Sequence, residues 1–316
     1  MYDLVIIGAA AAGSAAAIYA ARRNLNFVIV AKDIGGEVAL SGEVENWPGI
    51  IHTNGFELAK NFHDHIKSYG AKIETGYAVI AINHEKNHHI VRAVNDSGSE
   101  KTFETKTIII GSGIHPRVLN VPGENELRGR GVTYCTVCDG PLYKKKITAT
   151  IGAGNSALES ALMMRDISVK VFLITKFPDT PEFKGGFPKG EDILIQKVKQ
   201  SPNVEIIYNA NTARILGDDA VSGVEYENSN AKEKKTIAVQ GVMVHVGMIP
   251  NSDFATDIKK NPLGEIIVDN LCQTSSTGIF AAGDVTDIPY KQIVISSGQG
   301  VVAALSAINY LNRWQE

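Results

Sequence analysis

The sequence predicts an α/β protein of two domains, each built on a strand-helix-strand unit in a parallel sheet, with the second domain inserted into the first. Three observations predict this fold class. The apolar run LVII at residues 4–7 leads directly into the glycine turn GAAAAG at 8–13. An apolar run followed by the glycine turn GAGNSA recurs at 147–157, and a third run with a glycine turn, GIFAAGD, stands at 278–284. A repeated unit with a late return to the first pattern indicates an insertion.

Length and composition agree with two globular domains. The chain has 316 residues, of which 44% are hydrophobic and 21% charged, with a formal net charge of −3. Basic and acidic residues are interspersed, so the sequence carries no electrostatic signature for nucleic acid or an anionic membrane. Residues 4–21 are uncharged, but Asp3 precedes them and Gly8 and Gly13 interrupt them. We therefore expect a cytoplasmic protein and not a signal peptide or a membrane span.

The first glycine turn can bind a pyrophosphate. Buried strands at 4–7 and 27–30 flank a helix over 14–23, and the backbone N–H groups at the start of such a helix receive anions. The fingerprint is imperfect, because Ala10 stands where the middle glycine of G-x-G-x-x-G is usual. Taken alone, the turn is also consistent with a structural role without a ligand.

The domain boundaries follow from the second glycine turn. We predict a first domain from 1–115 and 247–316, and an inserted domain over 116–246, joined near Pro116 and at 247–250. The second fingerprint keeps both leading glycines and predicts a nicotinamide dinucleotide site of the following residues: Gly152, Gly154, Asn155, Ser156 and Ala157. The strand that would select the nucleotide ends at Thr175 and Lys176.

Two of the three cysteines form a C-x-x-C pair, Cys135 and Cys138, followed directly by Asp139. A redox dithiol, half of a zinc site and inert core cysteines are the three interpretations. Cys272 is isolated and the sequence has no second C-x-x-C pair, which favours the redox dithiol over zinc. A carboxyl beside a thiol pair can move the proton that thiol-disulfide exchange requires. The segment Asp-Gly-Pro is equally typical of a turn.

The ordered set of motifs resembles low-molecular-weight thioredoxin reductase over the whole chain. The motifs are the first glycine turn, ENWPG at 45–49, GSG at 111–113, CTVCDG at 135–140, the second glycine turn and AAGD at 281–284. The segments CDGPLY, LGEIIVD and IPYKQI are more similar still to the flavoprotein component of alkyl hydroperoxide reductase. That relative carries additional N-terminal thioredoxin-like domains, whereas the flavin fold here begins at residue 2.

The resemblance implies FAD on the first domain. The positions that match the family's FAD-binding motifs are Gly8, Ala10, Gly13, Gly36, Glu37, Asn46, Gly113, Asp284, Gln292 and Ile293. Glu37 stands where the family usually has glutamine, so an amide that can donate a hydrogen bond becomes an acceptor when ionised. The resemblance also implies that Cys138 faces the flavin, that Cys135 attacks the partner disulfide and that Asp139 manages the proton.

The electron donor stays open among NADH, NADPH and ferredoxin. The family's arginine-rich NADPH pattern is absent after the strand at 169–174, and Lys176 is a poor substitute for guanidinium groups around a 2′-phosphate. Thr175 offers only a weak contact to a ribose hydroxyl, and NADH is favoured over NADPH. Some relatives that lack the arginine pattern depend on ferredoxin.

We therefore expect a flavoprotein disulfide reductase that reduces thioredoxin or a thioredoxin-like protein, with a homodimer implied by resemblance. The alternatives are an NADH-dependent electron supplier for a peroxiredoxin system, a ferredoxin-dependent flavin thioredoxin reductase and, from a different class, a redox-sensing flavoprotein without turnover. The inserted domain should rotate so that the sulfurs reach both flavin and partner.

Other segments carry weaker predictions. The irregular loop 177–190 is expected to be a surface loop in preference to a docking surface. His84, His88 and His89 are expected in a solvated turn and not in a metal site. His245 is expected to be packed, Cys272 to be a spectator thiol, and 296–311 to form a helix against the flavin fold.

Overall fold

The computed structural model describes residues 1–41 and 43–315, with Glu43 described by its backbone alone. The chain forms two compact units. The first contains residues 1–41, 45–115 and 249–315, and the second contains 43–44 and 116–248. The divisions in the main body of the chain thus fall after His115 and after Met248, beside the positions chosen from the sequence.

The first unit is built on a seven-stranded sheet. The strands are β1 (Tyr2–Ala9), β2 (Phe27–Ile34), β5 (Lys72–Thr75), β6 (Tyr77–His84), β7 (His89–Asn95), β8 (Glu100–Ile110) and β19 (Ile279–Ala281). Their order is β5-β2-β1-β8-β7-β6, with β19 also paired to β8. Leu4, Val5 and Ile6 of β1 have no exposed surface, as expected for a strand buried on both faces. The predicted α/β class is confirmed.

We predicted a parallel sheet, but the sheet of the first unit contains both parallel and antiparallel pairs of strands. β7 pairs antiparallel with β6 and with the first half of β8, whereas the second half of β8 pairs parallel with β1 and β19. The long β8 allows this change because its two halves meet different neighbours on one side. The register places Ile7 beside Ile110, and Ile110 beside Ala281. The carboxyl ends of β1, β8 and β19 therefore lie together.

Helices α1 (Ala11–Arg22), α3 (Gly55–Ser68) and α7 (Ile293–Leu311) belong to this unit, with the single-turn α2 (Gly36–Ala39) and the short β4 (Thr53–Asn54). α7 packs closely on α1, since a Cβ at Gly300 would stand 2.1 Å from the Ala12 carbonyl oxygen. α7 is long and apolar enough to cross a membrane by length and composition. Its buried Ala303, Ala304 and Ala307 belong to the core with α1.

The second unit carries a five-stranded parallel sheet. Its strands are β10 (Val132–Thr133), β11 (Ile147–Gly152), β12 (Lys170–Ile174), β13 (Val204–Ile207) and β17 (Gly241–His245), in the order β10-β17-β11-β12-β13. The helices are α4 (Thr136–Asp139), α5 (Asn155–Ile167) and α6 (Asp192–Lys199), with 3₁₀ turns at Gly140–Tyr143 and Pro181–Phe183. The predicted second strand-turn-helix unit is thus β11 and α5.

The remaining strands complete the unit and the chain connections. An antiparallel sheet of β14 (Ala210–Gly217), β15 (Val221–Asn228) and β16 (Lys234–Ala238) follows β13. β9 (Ile114–Pro116) and β18 (Met248–Pro250) span the two main divisions of the chain, and β3 (Glu43–Val44) is the short piece assigned to the second unit.

Candidate functional site

The first candidate site lies at the carboxyl edge of the first unit's sheet. Gly8 has φ +105°, and a Cβ there would stand 2.3 Å from the Gly111 carbonyl oxygen. A Cβ at Gly13 would stand 1.9 Å from the Gly8 carbonyl oxygen. Both positions therefore require glycine for close backbone approach, and the turn delivers the chain into α1. The first N–H groups of α1 have no acceptor within the helix and point to this edge.

Ala10 stands at the helix N-cap in an extended conformation, with φ −100° and ψ −157°. Its methyl group is 3.5 Å from the position that a Cβ on Gly36 would take. Gly36 itself has φ +51°, and its N–H donates to Asp33 Oδ1 at 3.0 Å. The methyl group of Ala10, at the position where the middle glycine is usual, therefore has space, because Gly36 beside it has no side chain.

The other two strand ends add an open glycine and a buried carboxyl. Gly113 has φ +69°, and no atom would meet a Cβ there within 4 Å. Asp284 follows β19, and burial raises the pKa of its carboxyl while a hydrogen bond from Ser296 Oγ at 2.8 Å opposes the shift. A buried carboxyl at the end of a parallel strand can accept hydrogen bonds from hydroxyl groups of a nucleotide.

Asn46 and Gln292 complete the group of predicted residues in this unit. Asn46 Nδ2 donates to Gln292 Oε1 at 3.3 Å, and Gln292 is the N-cap of α7, with Ile293 as its first helical residue. Glu37 lies in the first turn of α2, directly after Gly36. The structure therefore brings the predicted positions to one unit and, for the strand ends, to one sheet edge.

These residues fit FAD. The close approach at Gly8 and Gly13 leaves a backbone cradle at the start of α1, and a Cβ on Gly113 would point into open space. Within residues 1–41 and 43–315, Ser14 Oγ is a buried oxygen without a hydrogen-bond partner, one residue after the turn. A helix N-terminus that presents free N–H groups is suited to the pyrophosphate of a dinucleotide.

Gly13→Ala is expected to abolish stable FAD binding and to lower the free energy of unfolding by several kcal/mol, because the new methyl group would overlap the Gly8 carbonyl oxygen. Flavin absorbance after desalting and the unfolding midpoint measure the two effects. Gly49→Ala is the matched control, since a Cβ at Gly49 meets nothing within 4 Å, although its φ of +95° predicts a mild destabilisation. Equal flavin retention in the two variants would contradict this role of the turn.

The second candidate site is the cysteine pair, which forms a disulfide between Cys135 and Cys138. Cys135 is the N-cap of α4, and its Sγ accepts a hydrogen bond from the Cys138 N–H at 3.3 Å. The Cys135 N–H donates to Thr133 Oγ1 at 3.1 Å. The turn is thus held from both sides, and an N–H group already faces the Cys135 sulfur.

Asp139 is the last residue of α4, and one of its two carboxyl oxygens has a hydrogen-bond partner among the described residues while the other has none. The Thr133 hydroxyl donates a hydrogen bond to Asp139 Oδ2. Asp139 Oδ1 is buried and has no hydrogen-bond partner among the residues described. Burial raises the pKa of this carboxyl, and the Thr133 hydrogen bond only partly opposes that shift. An oxygen without a donor is a site where a proton can be held, so this carboxyl can act as an acid one residue from Cys138.

Beneath the disulfide lies a polar cluster that sequence reasoning missed. Thr136 Oγ1 is 2.7 Å from His245 Nε2 and 2.6 Å from Ser160 Oγ. Burial lowers the pKa of His245 to about 4, so the ring is neutral at physiological pH. His245 was predicted to be packed, but its hydrogen bond to Thr136 was not predicted. The two bonds of Thr136 connect α4 to β17 through His245 and to α5 through Ser160. A histidine in an otherwise apolar strand was the signal, but its partner depended on the tertiary structure.

The second glycine turn has the backbone of a dinucleotide site. Gly152 has φ +155°, a Cβ there would stand 2.3 Å from the His245 carbonyl oxygen, and Gly154 is the N-cap of α5. The Asn155 side chain, however, forms two hydrogen bonds with Glu191. A backbone bridge joins Gly154 to Lys189. Of the other predicted positions, Ser156 is exposed and Ala157 is buried.

The expected ribose contact at Thr175 is not available in this structure. Thr175 is 1% exposed, its hydroxyl donates to the Gly186 carbonyl oxygen at 2.7 Å and it accepts from the Phe177 N–H. Lys176 is exposed, with Nζ over the Phe177 ring. The backbone of the turn therefore fits a pyridine nucleotide. The side chains of Asn155 and Thr175 do not, because Glu191 and Gly186 already occupy their hydrogen-bonding groups.

The prediction of a plain surface loop at 177–190 is wrong in its second half. Phe187 is fully buried and belongs to the core formed by α5, α6 and β12. Gly186 and Gly190 are also buried. The composition of three prolines and three glycines indicates irregular backbone correctly, but it does not report that one phenylalanine fills a core position.

The expected solvated turn is present at 84–87, where the residues are exposed, but His89 does not belong to it. His89 begins β7 and is 7% exposed, and its Nδ1 lies 3.1 Å from Nδ1 of His84. One of the two rings must be neutral to accept that hydrogen bond. Burial is the largest cause that lowers the pKa of His89 to about 4, followed by the charges of His84 and His88.

His89 is expected to make the stability of the protein fall with acidity. Between its unfolded pKa of about 6.5 and its folded pKa of about 4, only the unfolded chain binds the proton, so the free energy of unfolding decreases by about 3 kcal/mol as pH falls through this window. The unfolding midpoint at pH 7.5 and pH 5 measures this slope. His89→Gln should flatten it, and equal slopes in the wild-type and variant proteins would refute the prediction.

The described part of the chain contains no group of three or more His, Cys, Asp or Glu residues arranged to hold a metal ion. Cys272 is buried, at 2% exposed, and desolvation raises the pKa of its thiol to about 11. Among the described residues, the disulfide has the geometry for redox chemistry and the first glycine turn has the geometry for a nucleotide.

Comparison with known proteins agrees with this geometry. The family model described as pyridine nucleotide-disulphide oxidoreductase matches residues 2–304. The chain is 39% identical over 317 residues to the F subunit of alkyl hydroperoxide reductase from Pseudomonas putida, covering 99% of this chain and 58% of that relative. The chain therefore spans little more than half the length of that relative.

Solved structures match over the whole length. Thioredoxin reductase from Streptococcus pyogenes MGAS5005 has a TM-score of 0.90 and 32% identity, with 99% of both chains covered. Thioredoxin reductase from T. acidophilum has a TM-score of 0.64 and 37% identity, again with 99% of both chains covered. The resemblance inferred from the motifs and the fold class of two Rossmann-like domains are confirmed.

Proposed function

Because the chain belongs to the pyridine nucleotide-disulphide oxidoreductase family, we propose that it is a flavoprotein disulfide reductase of the thioredoxin reductase type. It passes electron pairs through the Cys135–Cys138 disulfide to thioredoxin or a thioredoxin-like protein. The observation that carries the proposal is a disulfide at the start of a short helix, with a buried carboxyl of raised pKa directly after it. Neither a structural disulfide nor a zinc half-site requires that carboxyl.

FAD is assigned to the first unit. The turn from Gly8 to Gly13 and the start of α1 would hold its pyrophosphate, and the buried Asp284 would accept hydrogen bonds from its hydroxyl groups. The other residues assigned to this site are Ala10, Gly36, Glu37, Asn46, Gly113, Gln292 and Ile293. When bound, FAD supplies a two-electron carrier for reduction of the disulfide.

The cysteines take unequal roles. The Cys138 N–H that faces the Cys135 sulfur stabilises a thiolate there, which supports Cys135 as the attacking sulfur and leaves Cys138 as the flavin-facing one. The Cys135 thiolate attacks the partner disulfide, forms a mixed disulfide and releases one partner sulfur. The Cys138 thiolate then attacks Cys135, which restores the Cys135–Cys138 bond and leaves the partner as a dithiol.

Asp139 donates a proton in this exchange. Reduction of one disulfide takes up two electrons and two protons, and each leaving sulfur departs more easily when it can be protonated. Asp139 Oδ1 has no hydrogen-bond partner among the described residues and belongs to the residue directly after Cys138, so when protonated it can give its proton to a departing sulfur. The raised pKa keeps a fraction of the carboxyl protonated at higher pH than an exposed aspartate.

The electron donor is proposed to be NADH in preference to NADPH, with ferredoxin as the alternative. Residues 175–180, directly after β12, contain no arginine that could bind a 2′-phosphate. Lys176 is the single basic residue in this segment. The ferredoxin alternative is supported by the two hydrogen bonds between Asn155 and Glu191, because they occupy the second glycine turn and ferredoxin would not bind there. NADH, NADPH and reduced ferredoxin, each mixed with the protein, distinguish the three by the rate of flavin bleaching.

A second candidate function is electron supply to a peroxiredoxin system. Its support is the 39% identity to the F subunit of alkyl hydroperoxide reductase, over 99% of this chain. We further propose a cytoplasmic homodimer, on resemblance to the family. Gel filtration combined with light scattering tests the dimer.

The decisive experiment uses the purified protein reduced chemically under anaerobic conditions. Reduced protein is mixed with an oxidised thioredoxin or with a thioredoxin-like module, and flavin reoxidation and free thiols on the partner are followed. Stoichiometric transfer of one electron pair supports the proposal. A colourless protein that does not take up FAD, or a partner that stays oxidised in every case, would refute it.

A further inference from the structure

The second glycine turn leads into a helix that ordinarily receives a dinucleotide. α5 begins at Asn155 with Gly154 as its N-cap, and the N–H groups of its first turn have no acceptors within the helix. In a βαβ unit this is where the pyrophosphate binds. The chain's own residues 184–191, which we call the cover segment, lie against this position.

The cover segment forms polar contacts with the first residue of α5. Asn155 Nδ2 donates to Glu191 Oε1 at 3.0 Å, and the Glu191 N–H donates to Asn155 Oδ1 at 2.8 Å. Both ends of the Asn155 amide are therefore occupied by one residue. The carboxylate of Glu191 also carries the negative charge that a helix N-terminus stabilises. A pyrophosphate that approaches α5 must displace this carboxylate or lie beside it.

The cover segment is anchored by burial. Phe187 has no exposed surface and packs in the core with Leu158 of α5 and Leu173 of β12. Gly190 approaches α5 so closely that a Cβ there would stand 2.7 Å from Leu158 Cδ1. The Gly186 carbonyl oxygen accepts the Thr175 hydroxyl at 2.7 Å. Movement of the segment as a whole would expose Phe187 and leave Thr175 without this partner.

We infer that Glu191 is an internal competitor for the dinucleotide and sets the affinity of this chain for both NADH and NADPH. The apparent dissociation constant of a ligand rises by the inverse of the fraction of molecules in the competent state. Each molecule in which Glu191 is bound to Asn155 is outside the competent state, and the Glu191 carboxylate repels a pyrophosphate that binds near it. The inference deepens the proposed function and rests on it, because it concerns the donor that feeds the flavin.

The test is direct titration of FAD-loaded protein with NADH and with NADPH by calorimetry. Wild-type protein should bind both weakly, and Glu191→Ala should bind both at least about tenfold more tightly, because Asn155 is freed and the like charge is removed. Glu191→Gln, which keeps an acceptor but loses the charge, should lie between them. The charge-matched control is Glu182→Ala, an exposed acid in the 3₁₀ turn Pro181–Phe183, and it should bind as wild type.

Equal affinities of the wild-type and Glu191→Ala proteins would overturn the inference, as would micromolar binding by the wild type. Hydrogen exchange gives a second measurement that needs no variant: the Glu191 amide should exchange faster when wild-type protein is saturated with nucleotide, and unchanged exchange at saturation would also overturn it. Neither readout involves the cysteines. The proposed function is tested separately with chemically reduced wild-type protein, whose electron transfer to a disulfide partner requires no nucleotide.

Discussion

Cys135→Ser is expected to lower disulfide reductase turnover by at least about a thousandfold, since a hydroxyl cannot form the mixed disulfide with the partner. FAD should still bind and still be reduced by a chemical reductant, because the flavin residues lie in the first unit and Cys135 in the second. The variant therefore separates the two halves of the reaction. Steady-state turnover with a thioredoxin-like partner and flavin absorbance during reductant addition measure them.

The complementary variant is Cys138→Ser, which keeps the attacking sulfur but removes the resolving one. It should accumulate a covalent complex with the partner, visible as a mass increase by one partner on a non-reducing gel, whereas Cys135→Ser should not. Cys272→Ser is the matched control, because that thiol is buried with a pKa raised to about 11 and should leave turnover unchanged. Retained turnover in Cys135→Ser, or a trapped complex in that variant and not in Cys138→Ser, would refute the assignment of roles.

Asp139→Asn is expected to lower turnover by about a hundredfold, the usual contribution of one positioned acid or base. The amide keeps an acceptor for the Thr133 hydroxyl but cannot give a proton to a leaving sulfur. The rate of the wild type should fall as pH rises through the raised pKa of the carboxyl, and the variant should lose this dependence. Single-turnover rates between pH 5 and pH 9 measure both properties.

The same substitution should stabilise the folded protein at neutral pH. Burial raises the pKa of Asp139, so the folded state binds a proton more tightly than the unfolded state, and the free energy of unfolding falls as pH rises through the folded pKa. The amide in the variant carries no charge and escapes this loss. A variant that is slower but melts at a higher temperature at pH 7 is the expected result. A slower and less stable variant would indicate that Asp139 acts only by holding α4 together.

The motifs that lie together in sequence were predictable because their geometry is local. The run at 4–7 with Gly8 and Gly13 specifies a buried strand and a tight turn, since apolar side chains on both faces and glycine at a close approach leave few alternatives. The spacing of Cys135 and Cys138 permits a disulfide for the same reason, because a separation of three residues brings the sulfurs within bonding reach, and the structure contains that disulfide.

Long-range partners could not be predicted in this way. Thr136 meets His245 across 109 positions of the chain, and Asn155 meets Glu191 across 36. His89 was expected in solvent because its neighbours are polar, yet it is buried beside Gly278. Phe187 was assigned to a surface loop by the prolines and glycines around it. In each case, the contacts of the side chain depend on segments that are distant along the chain.

By itself, the sequence determined the two strand-turn-helix units and the position of the cysteine pair between them, since these depend on apolar periodicity and on residues a few positions apart. Tertiary structure alone decided that Asp139 has a buried oxygen without a partner among the described residues and that Glu191 takes the amide of Asn155. The physical reason is that burial and desolvation are set by what packs against a residue, and those neighbours come from distant parts of the chain.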